Sequence, residues 1–142
     1  MKFIVRKVDV TNPLIKAAIT AMHDECFPAD YRFVPKNGGD WWVAFLGKKE
    51  AGFIGFVPSN QGSGTAYLER VGVLPAFRGN GLQTRMTRTG LKAIRSKYRV
   101  IVTDCRPFNA PSANSLIRCG FRVYDPPVRW SLENAVYWRR IL

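Results

Sequence analysis

Val71-Gly72-Val73-Leu74-Pro75-Ala76-Phe77-Arg78-Gly79-Asn80-Gly81-Leu82-Gln83 joins two regular segments through a turn that holds two glycines. Upstream, Thr65–Val73 reads as a strand. Downstream, Leu82, Met86, Ala93 and Ile94, with Gly90 between them, mark the buried side of a helix from about Asn80 to Lys97. Arg85, Arg88, Lys92 and Arg95 fall on its opposite side. A mid-helix glycine costs about 1 kcal/mol, so Gly90 is read as allowing close approach to a sheet. In the turn, Gly79 and Gly81 permit positive φ and let a ligand approach the backbone. The helix start adds unpaired N–H groups and the positive end of the dipole. With Arg78, the stretch Arg78–Thr84 predicts a phosphate cradle. It is not a P-loop, because no G-K-[ST] follows, and not a Rossmann fingerprint, because the third glycine is missing.

Working outward, residues 2–10 read as a strand, and Thr11-Asn12-Pro13 announces a helix: a capping side chain, then Pro at the first helical position. Ile15, Ile19, Met22 and Cys26 give that helix its apolar face, and Pro28 ends it. Residues 28–39 are a loop. Trp41–Leu46 and Ala51–Val57 form a hairpin around Gly47–Glu50, and a Gly/Ser-rich loop follows from Pro58 to Thr65. Arg99–Asp104 is a further strand. Asn109-Ala110-Pro111 repeats the cap-then-proline pattern and opens a helix to Arg118 or Cys119, where Gly120 stops it. Phe121–Tyr124 and Ala135–Ile141 are the last strands. No internal repeat appears. The order β-α-β-β-β-α-β-α-β-β predicts an α/β fold: a mixed sheet of about seven strands with helices on both faces.

The chain has 142 residues, 46% of them hydrophobic, which suits one domain over residues 1–142 and excludes disorder as the main state. No apolar run approaches the length of a membrane-spanning helix. Met1–Val10 lacks the continuous apolar stretch of a secretory signal. Cys26, Cys105 and Cys119 are three scattered thiols with no C-x-x-C pair, read as reduced and buried in a cytoplasmic protein. His23 is the one histidine. That excludes a multi-His metal site, and no metal is expected. His23 lies one position off the apolar face of its helix and reads as a core-flanking residue. There are 22 Lys plus Arg against 10 Asp plus Glu, a net charge of +12. From Arg70 to Thr103 eight basic residues stand with no acidic one. The balance favours anionic partners: phosphorylated cofactors, nucleic acid or an anionic surface.

The second motif is Asn109-x-x-Ser112-x-x-Ser115-Leu116-x-x-x-Gly120-Phe121. In this order and at this spacing, the two motifs together resemble the GNAT superfamily of acyl-CoA-dependent N-acetyltransferases. Arg78, Gly81 and Gln83 stand at the three positions of that family's R/Q-x-x-G-x-G/A signature. By motif the resemblance covers residues 41–124, and the element order extends it to the whole chain.

The resemblance implies a GNAT fold, in which the strand ending at Val73 splays from the strand Arg99–Asp104. The cosubstrate it implies is acetyl-CoA. Its pantetheine arm would enter the gap and pair with the Val71-Gly72-Val73 backbone. Its pyrophosphate would sit on the amides of Gly79, Asn80, Gly81, Leu82, Gln83 and Thr84, helped by Arg78. Asn109 would bond the arm, with Ser112 and Ser115 beside it. An amine would attack the thioester directly, and a backbone N–H near Val71 to Val73 would hold the oxyanion. Glu69 is the candidate base, unless it is paired with Arg70 or another arginine. Asp104 is the second candidate. Two departures stand out. Gln83 replaces the last signature glycine and adds bulk near the phosphates. Leu116 stands where the family frequently has a general-acid tyrosine, so Ser115, a water or unassisted departure of the thiolate would have to serve.

The acceptor pocket is expected from residues 28–39, 58–65 and 125–134, which hold Tyr31, Phe33, Trp130 and Glu133. Three functions stay open: acetylation of an amine on a small molecule or a protein, acetylation of aminoacyl-tRNA favoured by the charge, and acyl-CoA binding without catalysis. A monomer or a homodimer is expected, with no membrane partner.

Overall fold

The computed structural model describes residues 2–142. Local signals set the helices. Asn12 caps α1 (Pro13–Cys26) by accepting from the Leu14 N–H at 2.9 Å. Asn109 caps α3 (Ala110–Arg118) by accepting from the Ser112 N–H at 3.2 Å. Such a cap stabilises a helix by about 1 kcal/mol, and both helices carry proline in the first turn, where no N–H is needed.

The strands are β1 (Phe3–Val8), β2 (Asp40–Leu46), β3 (Lys49–Pro58), β4 (Thr65–Val73), β5 (Val100–Cys105), β6 (Arg122–Val123) and β7 (Val136–Ile141). They form one sheet in the order β1-β2-β3-β4-β5-β7-β6. Neighbours run antiparallel except β4 and β5, which are parallel. The crossover between those two is α2 (Leu82–Ile94). The expected mixed seven-stranded sheet is therefore present. Element ends differ from expectation by at most three residues, as fraying ends do. The last turn expected for α2 lies outside the helix, and β6 is two residues long.

Side chains alternate across the sheet, so each face has its own core. Trp41, Val43 and Phe53 point to the face of α1 and join Ile19, Met22 and Phe33. Trp42, Ala44, Ile54 and Phe56 point to the other face and join Leu82, Met86, Leu91 and Ile94 of α2, with Leu116 and Cys119 of the α3 end. Gly90 is where α2 touches the sheet: a Cβ there would run into the Phe56 ring. The inward side of α2 also includes Thr87 and Leu91, while Ala93 is exposed. His23 is fully buried rather than flanking the core. Its ring stacks on Phe33 at 4.7 Å and tilts against Phe27 at 5.0 Å.

The β3–β4 register slips by one residue. Gly55 faces Arg70 and Phe56 faces Leu68, so Glu69 is the extra residue of a β-bulge. No helix among the described residues is long and apolar enough to cross a membrane.

Candidate active site

β4 and β5 start as partners and then part. Their register runs only through Thr65–Val100, Ala66–Ile101 and Tyr67–Val102. The Thr103 hydroxyl makes one more bridge to the Leu68 carbonyl, at 2.9 Å. Beyond it β5 stays with β7 as far as the Cys105–Val136 pair, and β4 follows β3 to Val73. The bulge at Glu69 sits where the strands separate, and a bulge bends its strand and increases the local twist. The result is the expected splay, with no strand paired to the β5-facing edge of Glu69–Val73 among the described residues.

At the open end of β4 the chain makes a short 3₁₀ turn, Pro75–Phe77, then reverses into α2. Gly79 (φ +84°) and Gly81 (φ +71°) are both left-handed, and a Cβ at either would meet nothing within 4 Å. The space above the loop is therefore open. Gly81 is the N-cap of α2 and offers no side-chain cap. No acidic residue occupies the first turn, so its N–H groups remain available to an anion. The Asn80 side-chain amide donates to the Phe77 carbonyl at 2.9 Å and fixes the loop. These residues fit a phosphate-bearing ligand.

The expected ligands of the cofactor divide in two. Gly79, Asn80, Gly81 and Leu82 line the loop. Arg78 leans back: its Nε donates to the Val73 carbonyl at 3.0 Å. That bond engages one of the backbone groups expected to pair with the cofactor arm. Gln83 does not add bulk over the loop, because its amide turns to the Ser112 hydroxyl of α3 at 3.3 Å. Thr84 and Ser115 hydroxyls lie 3.0 Å apart, and Ser115 is buried. Gln83, Thr84, Ser112 and Ser115 thus stitch α2 to α3. The Asn109 Oδ1 is engaged by its cap. Leu116 packs into the core at 6% exposure.

Glu69 is half-buried, and its Oε2 has no hydrogen-bond partner among the described residues. Pairing with Arg70 does not occur. Arg70 meets Asp30 Oδ2 at 3.2 Å and lies over the Phe27 ring. Burial pushes the Glu69 carboxyl above the usual carboxylate range, against the opposing charges of Lys36 and Arg70. Asp104 is engaged on both oxygens. Oδ1 accepts from the Tyr67 hydroxyl at 2.8 Å and from the Trp130 indole at 3.0 Å, and Oδ2 accepts from the Ser131 hydroxyl at 2.7 Å. Burial, followed by the Asp104 charge, drives the Tyr67 hydroxyl upward in pKa. This knot seats residues 125–134 against β4 and β5. Of its members the sequence reading singles out Asp104 and Trp130, and it misses Tyr67 and Ser131.

The other acceptor candidates scatter. Tyr31 and Glu133 are exposed, and Phe33 is buried against His23. The loop 58–65 lies at the closed end of the splay, where the Gly64 carbonyl accepts from Arg99 and Val100. The three thiols are free. Burial raises each of them, and Arg78 opposes the rise at Cys26.

The model of the acetyltransferase (GNAT) family matches residues 13–121. No curated protein matches the sequence. Solved structures share the fold at low identity. An acetyltransferase from Streptococcus agalactiae is 18% identical, with a TM-score of 0.74 over 99% of this chain and 98% of that one. A Salmonella typhimurium acetyltransferase, solved with its cofactor acetyl-CoA, is 17% identical, with a TM-score of 0.77 over 99% and 94%. Aminoglycoside 6'-acetyltransferase type Ii is 16% identical, with a TM-score of 0.78 over 97% and 96%.

Proposed function

The chain belongs to the acetyltransferase (GNAT) family, and we propose that it transfers the acetyl group of acetyl-CoA to a primary amine by direct attack, with Glu69 as the base. One observation carries this reading: a half-buried carboxylate, whose Oε2 has no hydrogen-bond partner among the described residues, stands on the bulge where β4 leaves β5. Acetyl-CoA supplies a thioester whose C–S bond breaks as the amine nitrogen forms the new C–N bond.

The chain's own residues do the rest. The loop Gly79–Leu82 and the start of α2 bind the pyrophosphate through backbone N–H groups. The open edge of β4 from Glu69 to Val73 orients the arm and presents backbone N–H groups to the acetyl oxygen. Glu69 takes the proton that the ammonium must lose before it can attack. Its raised pKa makes it a better base than an exposed carboxylate. No hydroxyl stands at Leu116, and the Ser115 hydroxyl is held by Thr84. The thiolate therefore leaves without help from these two positions, which a thiol of pKa about 8.5 allows. Asp104 keeps residues 125–134 in place as a wall of the cleft.

Thiol release from acetyl-CoA, followed across a panel of small amines, peptides and aminoacyl-tRNA, tests the proposal. Turnover with any of them, reduced in Glu69→Gln, supports it. Cofactor binding without turnover on the whole panel would leave a non-catalytic acyl-CoA module.

A further inference from the structure

At the far end of α2 from the cradle, the C-terminal turns of α2 and α3 and the end of β7 line an open depression of about 360 Å³. Five of its lining residues are cations: Arg88, Lys92, Arg95, Arg118 and Arg140. No Asp or Glu lines it, and among the described residues none of the five is in an ion pair. Two of the guanidiniums are held in place. Arg88 Nη2 donates to the Arg118 carbonyl at 3.1 Å, and Arg140 Nε donates to the Cys119 carbonyl at 3.2 Å. Both sit at the negative end of the α3 dipole, where cations are stabilised. Arg140 Nη1 also donates to the Ile141 carbonyl; each fork still keeps further N–H donors for an anion.

The positive surface continues beyond the depression. Arg85, Arg88, Lys92 and Arg95 are all exposed along one side of α2. At 1.5 Å per residue they form a row of about 15 Å. A lone phosphate fills one point of such a row. A strand carrying a charge at every nucleotide matches its length and its sign. The Gly81 end of α2 lies about 20 Å from Arg95 by the same rise, so this surface is separate from the cradle.

We propose that the face formed by α2, the end of α3 and the end of β7 docks the sugar-phosphate backbone of a nucleic acid, with Arg88, Lys92, Arg95, Arg118 and Arg140 as its phosphate contacts. The proposal does not depend on acetyl transfer or on Glu69. The contacts are backbone contacts, so binding is tolerant of sequence and, for a single strand, falls by about 0.7 log units per neutralised phosphate for each tenfold rise in salt.

The test compares two variants of equal net charge, with a fluorescent 20-nucleotide oligouridine as probe. Lys92→Glu/Arg95→Glu reverses the proposed surface. Lys48→Glu/Lys49→Glu makes the same change on the exposed β2–β3 turn. Expected is salt-sensitive binding by the wild type, weakened at least roughly tenfold by the first pair. A shallower salt slope is expected for the first pair and near wild-type binding for the second. Equal weakening by both pairs would reduce the effect to overall charge and overturn the site. So would no binding at low salt, or full competition by millimolar inorganic phosphate. Binding to phosphatidylserine vesicles without binding to the oligonucleotide would overturn it in favour of a lipid surface.

Discussion

Arg70 reaches across to Asp30, 3.2 Å away, and not to its neighbour Glu69. The choice follows from the bulge, which sets Glu69 out of register with β3 while Arg70 keeps its place opposite Gly55. Asp30 thus holds the Arg70 guanidinium away from an ion pair with the proposed base. In Asp30→Asn, Arg70 loses its counter-charge and becomes available to Glu69. The Glu69 pKa should then fall, and the acidic limb of the kcat/KM profile should shift to lower pH. An unshifted limb would show that the Arg70–Asp30 pair does not tune this carboxylate.

Glu69→Gln keeps the shape and removes the basicity. It should lower kcat/KM by about 10²- to 10⁴-fold at neutral pH. Partial recovery is expected as the pH approaches the pKa of the acceptor amine, because free amine then needs no base. Cofactor affinity, measured by titration calorimetry, should stay near wild type. An unaltered pH–rate profile would remove Glu69 from the chemistry.

Gly81→Val places a β-branched residue at φ +71°, which such residues strongly resist. It also fills the open space above the loop. Acetyl-CoA binding should be lost while the circular dichroism spectrum is retained. Wild-type affinity in this variant would place the phosphate cradle elsewhere.

His23 makes folding sensitive to acid. Its ring is fully buried among aromatic side chains, and neither nitrogen has a hydrogen-bond partner among the described residues. Asp24 Oδ1 stands 3.9 Å from Nδ1, beyond hydrogen-bond reach. Burial, then the Arg70 charge, lowers the pKa in the folded state, with Asp30 and Asp24 opposing. The unfolded chain therefore binds the proton more readily. This contribution to stability is complete above the unfolded pKa of about 6.5 and declines as pH falls below it. His23→Phe should flatten the denaturation midpoint between pH 7 and pH 5. A wild-type slope in that variant would assign the acid sensitivity to other groups.

The order of elements along the chain and the helix starts were legible because their signals are local. Asn12-Pro13 and Asn109-Ala110-Pro111 mark helix starts, and Gly79 and Gly81 mark the turn into α2. What was not legible depends on register and on distant partners. The bulge at Glu69 exists only relative to Gly55 and Phe56 of β3. The burial of Ser115 follows from α2 and α3 meeting through Thr84. Ala93 fits the apolar spacing of α2 but is exposed, because Leu91 and Ile94 make the contact. By spacing His23 lies one position off its helix's apolar face, yet it is enclosed because Phe33, from the following loop, folds over it. Three of the four members of the Asp104 knot lie more than 25 positions from Asp104, and no motif connects them.

Asp104 and Glu69 are the two candidate bases, and their surroundings separate their roles. Among the described residues Glu69 Oε2 has no hydrogen-bond partner, whereas Asp104 accepts three hydrogen bonds from Tyr67, Trp130 and Ser131. A carboxylate that already orders three donors is a structural acceptor. Asp104→Asn presents an NH₂ where an acceptor oxygen stood and leaves at least one donor unsatisfied. A loss of about 1–3 kcal/mol is expected for a partly buried network, read as a lower melting temperature. Residues 125–134 should loosen, so the acceptor KM should rise more than kcat falls. The Gly79–Leu82 cradle lies outside the knot, so acetyl-CoA affinity should hold. The acidic limb of the pH profile should also stay in place, because Glu69 still titrates. A variant that keeps its KM and stability but loses that limb would transfer the base to Asp104.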